Sequence, residues 1–201
     1  MNDTRIASVC VFCGANAGAR PVYAASARAF GRLLAQNDIA LVYGGGGIGL
    51  MFEAARAAKD AGGTVIGIIT EALMAREVGN HDVSELHVVR SMHERKALMA
   101  QRADAFVVLP GGYGTFDETC EMLTWNQLSI IETPVVLVNL EGYFDGFLMQ
   151  LDRGVADGLL KPRHREMLSV VASVDDVLPA MRRWRPPPPA PLPAPSSAIE
   201  P

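Results

Sequence analysis

Leu109-Pro-Gly-Gly-Tyr-Gly-Thr-Phe-Asp-Glu118 is a joint between two kinds of structure. The run before it, Ala105 to Leu109, is apolar throughout and stops at a proline. Three glycines and a threonine follow within five residues, and a carboxylate arrives as helical spacing begins. Glycines let the backbone come close to a ligand and turn its N–H groups inward. The helix N-terminus behind them carries partial positive charge suited to an anion. A carboxylate placed one turn past such an anion would lie near the sugar of a bound nucleotide. The stretch therefore points to chemistry at a sugar rather than to phosphoryl transfer.

The same joint recurs outward in both directions. Apolar runs at Ile6–Phe12, Ile39–Tyr43, Thr64–Ile69, Leu86–Val89, Ala105–Leu109, Pro134–Asn139 and Ser169–Val171 read as strands. Between them Val22–Gln36, Gly49–Ala61, Ser91–Arg102, Phe116–Leu128, Tyr143–Asp157 and Val174–Trp184 carry apolar residues at helical spacing. Near-continuous apolar strands alternating with helices mean a mostly parallel sheet covered on both faces. The expected fold is a single doubly wound, Rossmann-like α/β domain, with ligands beyond the C-terminal strand ends.

Two other strand ends are glycine-rich: Cys13-Gly14-Ala15-Asn16-Ala17-Gly18, and Tyr43-Gly-Gly45-Gly46-Gly47-Ile-Gly49. Three such loops on one sheet edge indicate a nucleotide or phosphosugar. No GxxxxGK[ST] occurs, which argues against a P-loop enzyme. Gly44 to Gly49 fits GxGxxG in letters, but it follows the second strand, and no acidic residue ends the next one. A dinucleotide dehydrogenase is disfavoured.

Composition narrows the remaining classes. The 201 residues are 49% hydrophobic with net charge −4, enough for one substantial core. Residues 1–184 form the expected domain, and 185–201, mostly proline, alanine and serine, a disordered tail. No basic stripe interleaved with aromatics suggests nucleic acid, and no apolar stretch is long enough for a membrane span. With only a few polar residues before the first strand-like run, a cytoplasmic protein is expected, and three cysteines, an odd number, argue against a disulfide framework. Cys10-Val-Phe-Cys13 has CxxC spacing, but a strand would turn the two side chains to opposite faces. His81, His87, His93 and His164 lack metal-ligand spacing, so neither metal nor cofactor is expected.

A second polar segment, Ser91-Met92-His-Glu-Arg95-Lys96, opens the helix after the fourth strand. Ser91 and Glu94 have capping-box spacing. Arg95 and Lys96 oppose the helix dipole there, which suits either a solvated face or a nearby anion. Glu118 also has two readings. Thr115-Phe-Asp-Glu118 is itself a capping-box pattern, and the glutamate is equally placed for catalysis. Asp117 reads as a dipole-stabilising surface residue, and Tyr113 as a packing or covering group.

Ser91-Met-His-Glu-Arg-Lys96, together with Pro110-Gly-Gly-Tyr-Gly-Thr115 and Glu118, resembles the Lonely Guy family of cytokinin riboside 5′-monophosphate phosphoribohydrolases. The resemblance continues through Val11-Phe-Cys-Gly14, Val42-Tyr-Gly-Gly-Gly46, Thr124-Trp-Asn-Gln-Leu128 and Gly142-Tyr143, over almost the whole folded region. It implies hydrolysis of the N-glycosidic bond of a purine ribonucleoside 5′-monophosphate, giving free base and ribose 5-phosphate. It implies Arg95 and Glu118 as the catalytic pair, and Gly111, Gly112, Tyr113, Gly114 and Thr115 around the phosphate. It implies further substrate contacts at Glu77, Met92, Lys96, Thr124, Gly45 and Gly46, and a homodimer. Gly47 and Phe52 depart from the family pattern, which often has a small polar residue and a glycine there; these positions bear on substrate preference. Many relatives carry a lysine decarboxylase label, yet nothing here resembles a pyridoxal phosphate lysine site. Two rival readings are a non-catalytic nucleotide binder on the same fold and an interaction module acting through the proline tail. The Arg95–Glu118 combination favours catalysis.

Overall fold

The computed structural model describes residues 6–77 and 79–186, with Glu77 described only in its backbone. The proline-rich segment from 187 onwards, and with it most of the expected tail, lies outside the described residues. Seven strands form one sheet: β1 (Ser8–Phe12), β2 (Ala40–Tyr43), β3 (Val65–Thr70), β4 (Glu85–Val89), β5 (Ala105–Val108), β6 (Val135–Val138) and β7 (Leu168–Val171). All six pairings are parallel, in the order β4-β3-β2-β1-β5-β6-β7. The chain builds outward from β1 to β4, then returns to the other side of β1 to place β5. That reversal opens a crevice beyond the C-terminal ends of β1 and β5.

The helices α1 (Pro21–Gln36), α2 (Gly49–Asp60), α3 (Glu71–Glu77), α4 (Met92–Gln101), α5 (Tyr113–Gln127), α6 (Asp145–Ala156), α7 (Pro162–Arg165) and α8 (Val177–Arg183) lie between and after the strands. Side-chain alternation along β1 feeds two cores. Val9, Val11 and Cys13 pack with Phe30 and Leu34 of α1, Ala54 of α2 and Met181 of α8. Cys10 and Phe12 point the other way, toward Met99 of α4, Met122 of α5 and Phe144. The two cysteines thus sit in different layers, as the strand periodicity requires. Burial pushes both thiols well above the ordinary range. On the first face α1 and α2 meet backbone to backbone: a Cβ at Gly31 would lie 2.1 Å from the Ala54 carbonyl oxygen.

The six longer helices predicted from spacing are all present, but three details differ. The short α3 and α7 were not anticipated, being seven and four residues long. The last predicted helix divides into a 3₁₀ turn at Val174–Asp176 and α8. The third and most consequential difference is that α5 begins at Tyr113 rather than Phe116. No helix among the described residues is long and apolar enough to cross a membrane.

Candidate active site

A cleft of about 500 Å³ opens at the sheet reversal. Its walls come from the loops after β1 and β5 (Cys13–Gly18 and Pro110–Gly112), from α2 and α3, and from Tyr143 beyond β6. The start of α5 lines it as well, with the Tyr113 side chain 96% exposed. Gly112 is the N-cap and supplies no side chain, and the first bond of the helix runs from the Phe116 N–H to the Gly112 carbonyl at 3.1 Å. The N–H groups of Tyr113, Gly114 and Thr115 therefore have no partner within the helix, and all three residues line the cleft. Gly111 can only be glycine: a Cβ there would sit 2.1 Å from the Thr115 hydroxyl and 2.8 Å from the Gly14 nitrogen.

The earlier start of α5 removes one reading of Glu118. The Thr115–Glu118 capping box does not form, because Thr115 already lies inside the first turn. It is buried, and its carbonyl accepts the Thr119 hydroxyl at 2.6 Å. Glycines hid this boundary, since the cap they make has no side-chain signature. Ser91 does behave as expected: its hydroxyl accepts the Glu94 N–H at 3.1 Å, and the Glu94 carboxylate accepts the N–H of Arg90 at 2.9 Å.

Arg95 is 6% exposed despite its charge. Its Nε donates to the Ile68 carbonyl and its Nη2 to the Gly44 carbonyl, both at 3.0 Å. The side chain thus ties α4 to the ends of β3 and β2 and leaves Nη1 3.7 Å from Glu118 Oε1. The unfavourable place in the first turn of a helix is explained: two carbonyl dipoles and one carboxylate surround the cation. Gly44 makes room for it, because a Cβ there would overlap Nη2 at 2.0 Å.

Glu118 is nearly as buried, its side chain 12% exposed. Burial raises its carboxyl from the ordinary 4.5 to about 7; Arg95 and Lys96 pull it down, while Asp117 and Glu121 push it up. A carboxyl poised near neutrality inside a cleft is suited to exchanging a proton. Lys96 stands beside it, its ammonium 3.0 Å from both Asp117 and Glu121. Burial works against the Lys96 charge, but the two carboxylates outweigh it and raise its pKa. Asp117 is exposed, as expected, yet it serves as one jaw of that clamp.

Of the residues anticipated from sequence, Arg95, Gly111, Gly112, Tyr113, Gly114, Thr115 and Glu118 all line the cleft. Lys96 and Met92 lie beside them, the Met92 sulfur 4.0 Å from Arg95 Nη1. Three others sit apart. Thr124 is exposed about three turns along α5, its hydroxyl donating to the Cys120 carbonyl at 2.7 Å. Gly45 and Gly46 are buried behind the cleft: Gly45 accepts from the Asn80 N–H at 3.0 Å, and Gly46 pairs with Gly79. The side chain of Glu77 lies outside the described residues. Sequence reasoning did not single out Tyr23, and named Tyr143 only within the resemblance. Both line the cleft, and nothing local in the sequence marks Tyr23 apart from an apolar position in α1.

A protein family described as "Possible lysine decarboxylase" matches residues 51–181. The chain is 48% identical over 167 residues to the probable cytokinin riboside 5′-monophosphate phosphoribohydrolase LOGL9 of Oryza sativa subsp. japonica, covering 83% of this chain and 74% of that protein. It is 40% identical over 186 residues to the cytokinin riboside 5′-monophosphate phosphoribohydrolase LOG3 of Arabidopsis thaliana, covering 92% and 86%. Among solved structures, the molybdenum cofactor carrier protein of Chlamydomonas reinhardtii superposes with a TM-score of 0.67 at 24% identity, over 89% of this chain and 98% of that one. The molybdenum cofactor binding protein of Rippkaea orientalis gives 0.65 at 23% identity, over 88% and 95%. At that identity the two structures share the fold alone. The sequence relatives carry more: this chain belongs to the Lonely Guy family of cytokinin riboside 5′-monophosphate phosphoribohydrolases.

Proposed function

We propose that this chain hydrolyses the N-glycosidic bond of cytokinin-type, N6-substituted adenine riboside 5′-monophosphates and of AMP, releasing the free base and ribose 5-phosphate. One observation carries the reading: the buried Arg95–Glu118 pair shares a single cleft with an uncapped helix N-terminus framed by glycines. The 5′-phosphate binds the N–H groups of Tyr113 to Thr115. Glu118, five residues or roughly 7.5 Å further along α5, then faces the ribose. Glycoside cleavage passes through an oxocarbenium-like transition state. The Glu118 carboxylate stabilises that developing charge and accepts a proton from the water attacking the anomeric carbon. Arg95 fixes the nucleotide and favours departure of the base, whose ring nitrogen ends with the proton that Glu118 took from the water, which leaves the carboxylate free again. The decisive assay incubates the protein with AMP and with isopentenyladenosine monophosphate and quantifies base and ribose 5-phosphate. Binding without release from either would defeat the enzyme reading.

The decarboxylase description of the family does not suit Lys96. An ammonium clamped between two carboxylates with a raised pKa is a poor amine for a Schiff base.

The Gly44 contact supplies a graded test. Gly44→Ala would displace the buried guanidinium of Arg95 and break its bond to the Gly44 carbonyl rather than strain the backbone. Turnover of AMP should fall about 10–100-fold, in line with a displacement of the order of 1 Å, with a loss of about 1–3 kcal/mol of stability for the bond that Nη2 gives up. Unchanged turnover would mean that the position of the guanidinium does not matter.

The folded unit is proposed to span 1–184. The last helix ends at Arg183, and the Trp184 indole donates to the Met167 carbonyl at 2.9 Å. We infer a homodimer, as the family resemblance implies; Leu128 and Ile130, 61% and 62% exposed just past α5, offer apolar surface for it. Sedimentation should give about twice the 21.5 kDa chain mass, and a monomer at micromolar concentration would contradict it. A cytoplasmic location fits the three free thiols at Cys10, Cys13 and Cys120. The net charge of −4 gives no support to a nucleic-acid or membrane partner.

A further inference from the structure

The glycine loop after β5 is held by its carbonyls. The Gly14 N–H donates to the Pro110 carbonyl at 3.0 Å, and the Tyr143 hydroxyl donates to the Gly111 carbonyl at 2.7 Å. Two successive acceptors are thereby occupied. The turn cannot rotate either lone pair toward an incoming anion without breaking one of these bonds. The Gly14 bond joins neighbouring strand ends and follows from the sheet. The Tyr143 bond does not: it reaches across from the loop after β6, 32 residues later in the chain.

That loop is built to hold the phenol in place. Glu141 and Gly142 both adopt left-handed backbone, with φ of 50° and 74°. Asn139 brackets the turn, its side-chain oxygen accepting the Phe144 N–H and its amide donating to Asp145 Oδ1, each at 2.8 Å. The Tyr143 ring stands edge-on to Phe144 at 4.9 Å and to Tyr23 at 5.6 Å. Arg20 stacks over Tyr23 and pairs with Glu141, closing the ring of contacts across the cleft mouth. A left-handed glutamate costs conformational energy, and this clasp fixes it.

We propose that Tyr143 is a positioning residue: its hydroxyl sets the Gly111 peptide so that the following N–H groups receive a sugar phosphate, and it thereby favours 5′-phosphorylated nucleotides over nucleosides. The inference rests on the phosphoribohydrolase reading above. Tyr143→Phe retains the ring and its aromatic contacts and removes only the donor. The loss of one hydrogen bond of this kind should weaken ribose 5-phosphate binding about five- to tenfold and raise KM for AMP by the same factor. The value of kcat should change less than about twofold, because the bond serves ground and transition state alike. Affinity for free adenine should stay unchanged, and the melting temperature should fall by no more than about 2–6 °C, the cost of one such bond to the fold. In the ligand-free protein the backbone amide resonances of Gly111 and Gly112 should move.

Calorimetry with ribose 5-phosphate and with adenine separates the outcomes. Unchanged ribose 5-phosphate affinity in Tyr143→Phe, in a wild type that hydrolyses AMP, overturns the positioning role and leaves the enzyme reading standing. Adenine affinity falling in step with ribose 5-phosphate also overturns it, since the effect would then be a general loosening of the cleft. A wild type that neither hydrolyses AMP nor binds ribose 5-phosphate removes both.

Discussion

Glu118→Gln is expected to lower AMP hydrolysis by about 10²–10⁴-fold, the range for removing one well-placed acid–base or charge-stabilising group, while making the protein more resistant to urea above neutral pH. The two effects share one cause. Glu118 is a buried carboxyl whose pKa is raised from the ordinary 4.5 to about 7. In the unfolded chain it loses its proton near 4.5, whereas the fold holds that proton until about 7. Between those values the unfolded state binds fewer protons, so stability falls as pH rises, by about 1.4 kcal/mol per pH unit at most. Above 7 the full cost is present. Glutamine carries none of it, so the variant should gain on wild type by about 2–3 kcal/mol between pH 5 and pH 8. For activity the sign reverses: the carboxylate is the working form, so wild-type kcat/KM should climb through an acidic limb near pH 7. Urea melts at both pH values and a pH–rate profile test the pair of claims. Near wild-type turnover in Glu118→Gln would remove the glutamate from the chemistry, and an equal stability difference at both pH values would mean that the fold does not raise its pKa.

The layers of this fold were legible because burial on both faces makes the five inner strands nearly continuous apolar runs, whereas the edge strands β4 and β7 are partly exposed and carry Glu85, His87 and Ser169. Helix boundaries were less legible where they depend on backbone alone. The letters of Thr115-Phe-Asp-Glu118 satisfy a capping box, yet Gly112 caps α5 without a side chain. Glu118 is thereby turned inward from a position that the sequence leaves ambiguous. Arg95 and Glu118 could be named separately, but their meeting depends on strand order. They lie 23 positions apart in the chain, on helices that follow β4 and β5, which the sheet separates by three strands. Only the reversal at β1 brings the start of α5 to the strand ends that Arg95 reaches. Tyr143 was invisible as a positioning group for a similar reason, since its partner is a carbonyl contributed by a loop 32 residues away. Gly45 and Gly46 illustrate the converse: their letters match a ligand loop, but the bonds to Asn80 and Gly79 turn that segment into a buried support.

Arg95→Ala should damage both fold and chemistry, and the pH dependence of the damage separates its roles. Removing the side chain leaves the carbonyls of Ile68 and Gly44 without their donors, at about 1–3 kcal/mol for each buried group that water does not reach. A loss of about 2–4 kcal/mol in urea unfolding is expected. Lysine is no substitute, because one ammonium cannot reproduce the fork that serves both carbonyls and still face Glu118. On the chemical side, Arg95 is the nearest cation to Glu118, at 3.7 Å, and acts against the burial that raises its pKa. Without it the carboxyl must titrate above 7, so at pH 7 less of the working carboxylate is present. The acidic limb of kcat/KM should therefore move to higher pH. If holding Glu118 ionised were the whole of its task, raising the pH to 9 would restore nearly all the lost rate. If Arg95 also holds the nucleotide and eases departure of the base, a deficit of about 10²-fold or more should persist at pH 9. We expect the second result, because Arg95 itself lines the cleft and keeps Nη1 free of the two carbonyls that fix the rest of the guanidinium. Full recovery at pH 9 would reduce Arg95 to a support for Glu118, and an unmoved limb would break the electrostatic link between them.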